Sequence, residues 1–280
     1  MGIKTLSFDL SGAVRGLKIG AVLLSLVAAC AGGESNAAAP TNTPPTGANP
    51  ESIIQSFAAK EAAFKIARDH YTYDQEVTVQ TLEGDTVDGE YKQTVEITFD
   101  DKGHRVERVL YAPAPSLTRI EMTREDMDDI QNQLPFVLTT EELPEYNITY
   151  LGPKHVDELD TYVFEVEPKK IEKGKRYFKG KIYVDNQDMQ IVLTDGKTLP
   201  EIRSHGQENL FPSFVTYREQ VDGKYWFPTY TKADDYLHFS SGDVHIREIV
   251  KYTNYKRFGS DVKILFNGEE VKAAPNATKK

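Results

Sequence analysis

Side chains that could catalyse a reaction or bind a metal are few and widely spaced in this 280-residue sequence. It contains no G-x-S-x-G nucleophile motif, no H-E-x-x-H zinc motif, no pair of cysteines and no phosphate-binding or dinucleotide-binding glycine loop. Each of these chemistries needs its groups at a set spacing, which is missing here. The sequence therefore predicts a protein that is not an enzyme and holds no cofactor.

Two of the six histidines could face each other in a predicted hairpin. If residues 241–242 form the turn, His238 lies opposite His245 on one sheet face. Two imidazoles could begin a metal site with Asp234, but a third firm ligand is missing and Arg247 on the same face would repel the ion. The pattern favours an exposed polar pair over a metal site.

The carboxylate runs at 125–129 and 157–160 are the other candidate metal ligands. Calcium prefers alternating oxygen ligands around a glycine turn, and neither run provides them. We expect solvated faces of a helix and a turn, and no bound metal.

Cys30 is the single cysteine of the chain and ends the segment Leu-Val-Ala-Ala-Cys. Three basic residues precede an apolar run at 19–29, which is too short to span a bilayer and has the order of a secretory signal. The segment matches the lipobox of bacterial lipoproteins, which implies cleavage before Cys30 and its acylation. The alternative is an ordinary signal peptide. A lone exported thiol forms no internal disulfide, which favours the anchor.

The net charge limits the partners of the mature protein. Removing residues 1–29 takes away three positive charges and one negative charge, so the formal charge changes from −10 to −12. An acidic surface repels nucleic acid and anionic lipid head groups. We therefore expect no nucleic-acid partner, and contact with a membrane only through the N-terminal lipid.

Composition divides the chain into four parts. Residues 1–29 form the predicted signal peptide, and residues 30–50 a tether that begins with lipidated Cys30. The tether lacks aromatic residues, Leu, Ile and Val after its first residue, so it cannot pack and would hold the domain about 25 Å from the bilayer. Residues 51–266 form the folded domain, and residues 267–280 a disordered tail.

The clearest structural signal is a hairpin at 175–197. Phe178, Ile182 and Val184 alternate with polar residues before the loop, and Met189, Ile191 and Leu193 alternate after it. An antiparallel pair with one apolar face needs a covering layer and a larger sheet. These six side chains are candidates for the concave side of that sheet, either packed as core or lining a ligand cavity.

The predicted domain contains about ten strands in all, with two or three helices inserted among them. Asn49 and Pro50 have the residue types of a helix start, and Ile53, Phe57 and Phe64 fall on one stripe of a helix that ends near residue 70. Neither βαβ alternation nor an internal repeat is present, so the sheet should be antiparallel. Other strand-like segments lie at 73–82, 91–99, 106–111, 146–151, 162–168, 214–221, 225–233, 236–239 and 244–255.

Residues 113–143 interrupt this pattern. A short acidic helix begins at residue 123, and the segment 134–138 is apolar without the alternation of a strand. Two interpretations stay open for 134–138: a mobile apolar flap, or a loop whose side chains fill the edge of the core. A helix start is predicted at 139–142.

The order of these elements resembles the outer-membrane lipoprotein carrier superfamily, the LolA/LolB-like proteins, over residues 51–266. The segments 146–150 and 162–169 contribute to this resemblance, and 181–185 and 223–228 resemble outer membrane lipoprotein-sorting proteins. The resemblance implies a mainly β fold of the α+β kind, in which a large curled antiparallel sheet forms a half-open barrel lidded by a few helices. It also implies acyl-chain binding in an apolar cavity, without catalysis.

The resemblance assigns candidate ligand contacts. Phe57 and Phe64 would belong to the lid, and Phe136, Val137, Leu138 and Trp226 would border the cavity. The hairpin residues Phe178, Ile182, Val184 and Ile191 would lie on its concave side.

The resulting prediction is a non-enzymatic envelope lipoprotein that binds lipid or lipoprotein acyl chains and acts in lipoprotein sorting or lipid transport. The soluble carrier of the family has no anchor, whereas its membrane-bound acceptor has one, so Cys30 makes the chain more similar to the acceptor. Ala31 after the cysteine favours the outer membrane, facing the periplasm. The alternative is an envelope sensor or protein-interaction module with the same fold and no lipid cargo.

Overall fold

The computed structural model describes residues 49–100, 104–200, 202–204, 207–209, 212–258, 265–266 and 269–270. Ten strands form one antiparallel sheet in the order β3-β2-β1-β12-β11-β10-β7-β6-β5-β4. The two end strands do not pair with each other, so the sheet is curled but open. This confirms the predicted fold class. The strands of this sheet are β1 (Tyr71–Glu83), β2 (Thr86–Phe99), β3 (Arg105–Tyr111), β4 (Tyr146–Val156), β5 (Leu159–Pro168), β6 (Tyr177–Asp185), β7 (Ile191–Leu199), β10 (Phe214–Gln220), β11 (Trp226–Phe239) and β12 (Gly242–Arg257).

Short elements connect or flank these strands. Strand β8 (Ile202–Ser204) pairs with β9 (Gln207–Asn209), and β13 (Leu265–Phe266) pairs with β14 (Glu269–Glu270). The described helices are α1 (Pro50–Arg68), α2 (Arg124–Asn132) and a 3-10 turn at Leu143–Glu145. Neither α-helix of the described part combines the length and hydropathy needed to cross a membrane.

Helix α1 begins and packs as its sequence predicts. The Asn49 side chain accepts a hydrogen bond from the Glu51 backbone N–H at 3.1 Å, and Pro50 occupies the first turn, where no amide donor is needed. Phe57 is buried in the main core and Phe64 packs on Phe227, with ring centroids 5.1 Å apart. The helix therefore covers the sheet with one apolar stripe.

The central hairpin is present, with a β-bulge that changes which residues face the core. Strand β6 pairs with β7 regularly from Tyr177 to Tyr183, and the register then shifts so that Val184 lies opposite Ile191. Ile191 joins the main core, whereas Leu193 lies opposite Tyr183 and packs with it in a second apolar cluster. The prediction that Leu193 lies on the concave side is wrong, because the bulge reverses the alternation.

The segment 134–138 fills the core, the second of its two predicted interpretations. Leu134, Phe136 and Leu138 are buried, and the Phe136 ring stacks on Phe178 with centroids 4.4 Å apart. After it, Thr139 N–H donates to the Glu142 carboxylate at 2.8 Å, which makes a turn before the 3-10 helix. The helix predicted to begin at 139–142 is thus reduced to this turn and the three-residue 3-10 helix.

The predicted histidine pair does not form. The β11–β12 turn falls one residue earlier than predicted, so His238 lies opposite Asp243 and His245 lies opposite Tyr236. Each imidazole contacts a carboxylate: His238 lies 2.8 Å from Asp243, and His245 lies 2.5 Å from Asp234. In the part of the chain that the structure describes, no three metal-ligating side chains come together.

Several predicted features lie outside the described residues. They are the signal peptide, Cys30 and the tether up to residue 48. Of the predicted tail, the structure describes only Glu269–Glu270. The domain boundaries and the lipid anchor therefore stay predictions.

Candidate ligand cavity

A cavity of ≈ 820 Å³ opens between the sheet and the connection that follows β3. Strands β1, β2, β11 and β12 form its floor, and residues 115–134 with α2 form its roof. Most of the lining is apolar, and it includes Val79, Leu117, Ile120, Ile130, Phe214 and Ile246. The cavity therefore has the composition of a small-molecule site, with a few polar groups among apolar walls.

The centre of the floor is a row of paired residues. Tyr91, Val79, Glu248 and Ala233 lie opposite one another across β2, β1, β12 and β11. Residues in register on adjacent antiparallel strands project to the same face. Glu248 is thus set between a valine and an alanine, neither of which offers its carboxyl group a hydrogen bond.

Glu248 is a buried acid with an unused oxygen. The residue is 8% exposed, and its Oε1 atom has no hydrogen-bond partner among the residues that the structure describes. Burial, together with the nearby Asp126 and Asp129 carboxylates, raises the pKa of Glu248 to about 8. At pH 7 the carboxyl group is therefore mainly protonated and neutral.

The roof brings four more carboxyl groups to the cavity. Asp126 completes a capping box at the start of α2, where its Oδ2 accepts the Thr123 N–H at 2.7 Å. Asp129 is buried and accepts hydrogen bonds from Arg176 at 3.0 and 2.6 Å. Burial nevertheless raises the pKa of Asp129, because desolvation outweighs the opposing effect of Arg176. Exposed Glu121 and Glu125 complete the set.

Within the described ranges Arg119 is the one basic residue that lines the cavity, and its guanidinium is already paired. Arg119 Nη2 lies 2.8 Å from the Asp88 carboxylate. Glu248 is neutral at pH 7 and Asp129 is paired with Arg176, so the carboxylates of Glu121, Glu125 and Asp126 give the cavity a negative potential.

A second buried polar group joins α1 to the sheet behind the cavity. Arg218 Nη1 donates to the Glu61 carboxylate at 3.0 and 3.2 Å, and Arg218 Nη2 donates to the Phe136 carbonyl oxygen. Glu61 also accepts the Ile191 backbone N–H at 3.3 Å. Burial raises the pKa of Glu61 against the lowering effect of Arg218. This ion pair ties α1, β10, β7 and the segment 134–138 together.

The sequence did not lead to a prediction of these buried charges, although Glu248 and Glu61 each have a local signal. In β12 the inward row reads Val244, Ile246, Glu248, Val250, Tyr252, so one acid interrupts an apolar alternation. In α1 Glu61 falls between Phe57 and Phe64 on the buried stripe. A charged residue at a core position is rare unless it is paired or functional. Glu61 and Glu248 are therefore the positions at which the sequence indicates a buried ion pair or a functional group.

The ten predicted ligand contacts lie mostly in packed core, and none of them lines the larger cavity. Phe136 and Val137 line a smaller cavity of ≈ 440 Å³ near Lys65 and Arg176. Trp226 packs in the second cluster and donates its indole N–H to Asp188 at 3.1 Å. Ligand contact at these ten positions stays a prediction. The main core contains Phe57, Phe136, Leu138, Phe178, Ile182, Val184 and Ile191, and Phe64 packs with Tyr71, Phe227 and Val137 in another cluster.

Comparison with known proteins returns matches among solved structures only. No protein-family model matches the chain. No curated protein is a significant match either.

A DUF1329 family protein from Desulfovibrio piger is 13% identical, with 77% of this chain and 94% of that chain covered and a TM-score of 0.40. A LolA superfamily protein from Nitrosomonas europaea is 17% identical, with 76% and 96% covered and a TM-score of 0.34. A putative outer membrane lipoprotein-sorting protein domain from Vibrio parahaemolyticus is 12% identical, with 74% and 94% covered and a TM-score of 0.33. The similar structures therefore include both groups that the sequence resembles.

Proposed function

We propose that this chain is a lipid-anchored protein of the cell envelope that binds an amphiphile in the cavity beneath residues 115–134 and catalyses no reaction. The observation that carries the proposal is the cavity itself. Its volume of ≈ 820 Å³ lies within the range of roughly 300–1,000 Å³ typical of small-molecule sites. An open, curled sheet covered by a helix and an irregular connection leaves such a space because the covering layer does not fill it.

The predicted anchor supports a role at a membrane. Acylated Cys30 and the tether to residue 50 would hold the domain close to a bilayer, where amphiphiles are supplied. With Ala31 after the cysteine, we place the protein at the outer membrane, facing the periplasm. The proposed role is lipoprotein sorting or lipid transport, with a lipid or an acylated lipoprotein as cargo.

Native mass spectrometry of the purified chain tests this proposal. We expect co-purified lipid on the wild-type protein. Ile120→Trp adds a large side chain at the cavity wall and should lower the lipid-bound fraction several-fold. Ile171→Trp makes the same change at an exposed position that does not line the cavity and should leave the bound fraction unchanged. Wild-type protein that is repeatedly empty, or equal occupancy in the two variants, would refute cargo binding in this cavity.

A second candidate function is a sensor or protein-interaction module, which the edge strand β3 favours. Val106, Val109, Leu110 and Tyr111 are all exposed on this short strand, with Val109 at 56%. An unpaired strand edge with exposed apolar side chains can pair with a strand of another protein. Photo-cross-linking from position 109 in cells separates the two functions, since one stoichiometric protein adduct supports the module and its absence counts against it.

A further inference from the structure

The floor of the cavity holds a carboxyl group whose surroundings leave it incompletely paired. Val79 and Ala233, the neighbours of Glu248 across the strands, are apolar, and the Oε1 atom of Glu248 has no hydrogen-bond partner. A buried polar atom without a partner destabilises the folded protein. A ligand that supplies an N–H donor at this point would relieve that cost.

The charges on the walls determine which ligand head group fits. Asp126 and Asp129 of α2 lie near enough to Glu248 to raise its pKa, and exposed Glu121 and Glu125 line the same cavity. Tyr91, Thr198, Ser241, Thr118 and Thr123 are further polar residues in the lining of the cavity.

The two guanidinium groups that could offset this negative charge are already engaged. Arg119 pairs with Asp88, and Arg176 pairs with Asp129. A phosphate or carboxylate head group would meet several carboxyl groups with no unengaged cation, whereas a cation would meet complementary charge.

We propose that the cavity selects an amphiphile with a protonated amine as its head group, which places the ammonium against Glu248 and the apolar chain along Leu117, Ile120 and Phe214. This inference rests on the proposed function and narrows its ligand to one chemical class. The ammonium donates hydrogen bonds to the Glu248 carboxylate, and the apolar walls cover the chain.

Binding of a cation changes the protonation of Glu248. With its pKa at about 8, the carboxyl group is about nine-tenths protonated at pH 7. An ammonium at contact distance favours the carboxylate form, so the Glu248 proton passes to solvent as the complex forms. The amine keeps its own proton, because alkylamines, like lysine, ionise near pH 10.

Isothermal titration calorimetry of the purified chain with dodecylamine, dodecanol and dodecanoate tests the proposal, since these probes share one alkyl chain. We expect dodecylamine to bind about 10- to 100-fold more tightly than dodecanol, the range of a charge-assisted hydrogen bond, and dodecanoate to bind most weakly. Titrations in two buffers of different ionisation enthalpy should report close to one proton released per dodecylamine bound at pH 7.

Glu248→Gln keeps the shape of the side chain and removes its charge. This variant should bind dodecylamine and dodecanol with similar affinity and release no proton, while dodecanol affinity stays at the wild-type value and so reports an intact cavity. Glu165→Gln is the matched control, since it removes an exposed carboxylate on β5 that does not line the cavity and should keep the amine preference.

The outcomes separate this inference from the proposed function. Equal binding of the three probes by the wild type, or an unchanged amine preference and proton release in Glu248→Gln, overturns the amine assignment and leaves amphiphile binding intact. Failure of every probe to bind the wild type overturns both.

Discussion

Glu248→Gln should remove a large part of the pH dependence of stability. Folding raises the pKa of Glu248 from 4.5 to about 8, mainly through burial. Between these values the folded state binds more protons than the unfolded state, so the free energy of unfolding decreases as pH rises. The stabilising contribution of the protonated acid is complete below pH 4.5 and is lost as pH rises through about 8.

The size of the effect follows from the pKa change. Each unit corresponds to about 1.4 kcal/mol, so the full change is on the order of 5 kcal/mol. Glutamine is neutral at every pH and avoids this loss. We therefore expect the variant and the wild type to differ by less than about 1 kcal/mol at pH 5, and the variant to be more stable by about 3–5 kcal/mol at pH 9.

Urea denaturation between pH 5 and pH 9 measures this difference. Trp226 is the single tryptophan and is buried, so its fluorescence reports unfolding of the sheet. Asp129 and Glu61 also have raised pKa values, but both proteins contain them, so their contributions cancel in the comparison. A difference between variant and wild type that stays within about 1 kcal/mol over the whole range would show that Glu248 is not buried as described.

Three other predictions concern the core and the anchor. Glu61→Gln leaves Arg218 buried without its counter-charge and should lower the free energy of unfolding, measured in urea, by about 3–5 kcal/mol. Replacing both residues by methionine should be close to neutral or stabilising. A decrease below about 1 kcal/mol in Glu61→Gln would contradict the cost of an unpaired buried charge. Gly196→Ala should cost at least about 1–3 kcal/mol in the same assay, because its Cβ would overlap the backbone carbonyl oxygen of Lys179 and lie 2.7 Å from Phe178 Cζ. Wild-type stability would refute this close approach. Cys30→Ser should abolish fatty-acid labelling in cells and release the protein from the membrane fraction, and labelling at the wild-type level would exclude the anchor.

Two controls make the stability results specific. Lys181→Ala lies on an exposed position of the same hairpin as Gly196 and should change stability by less than about 0.5 kcal/mol. The double methionine variant retains the apolar contacts near Glu61 and Arg218, so its comparison with each single variant isolates the cost of an unpaired buried charge.

The elements that the sequence predicts well are those with local signals. Asn49 and Pro50 form the start of α1 as expected, because capping depends on neighbouring residues only. The alternation of Phe178, Ile182 and Val184 identifies β6 for the same reason, since a half-buried strand shows its two faces in its own sequence.

Features that depend on distant segments could not be predicted in this way. The bulge at Val192 changes the face of Leu193, and nothing in the alternation of β7 marks it. The cavity depends on how residues 115–134 cross β1, β2 and β12, and these residues have neither helical nor strand periodicity over most of their length. A covering connection without a regular pattern carries no information about the space beneath it.

Residue type alone does not show which buried charged residues find a partner within the fold. Glu61 interrupts an apolar row, and the fold brings Arg218 within 3.0 Å of it, so each explains the other. Glu248 interrupts an apolar row in the same way, but its Oε1 atom finds no partner among the residues that the structure describes. An ion pair whose two charges offset each other needs only the fold to account for it. An acid that lines an open cavity and keeps an unused oxygen needs a partner from outside the chain, which is why the ligand is inferred at Glu248 and not at the ion pair.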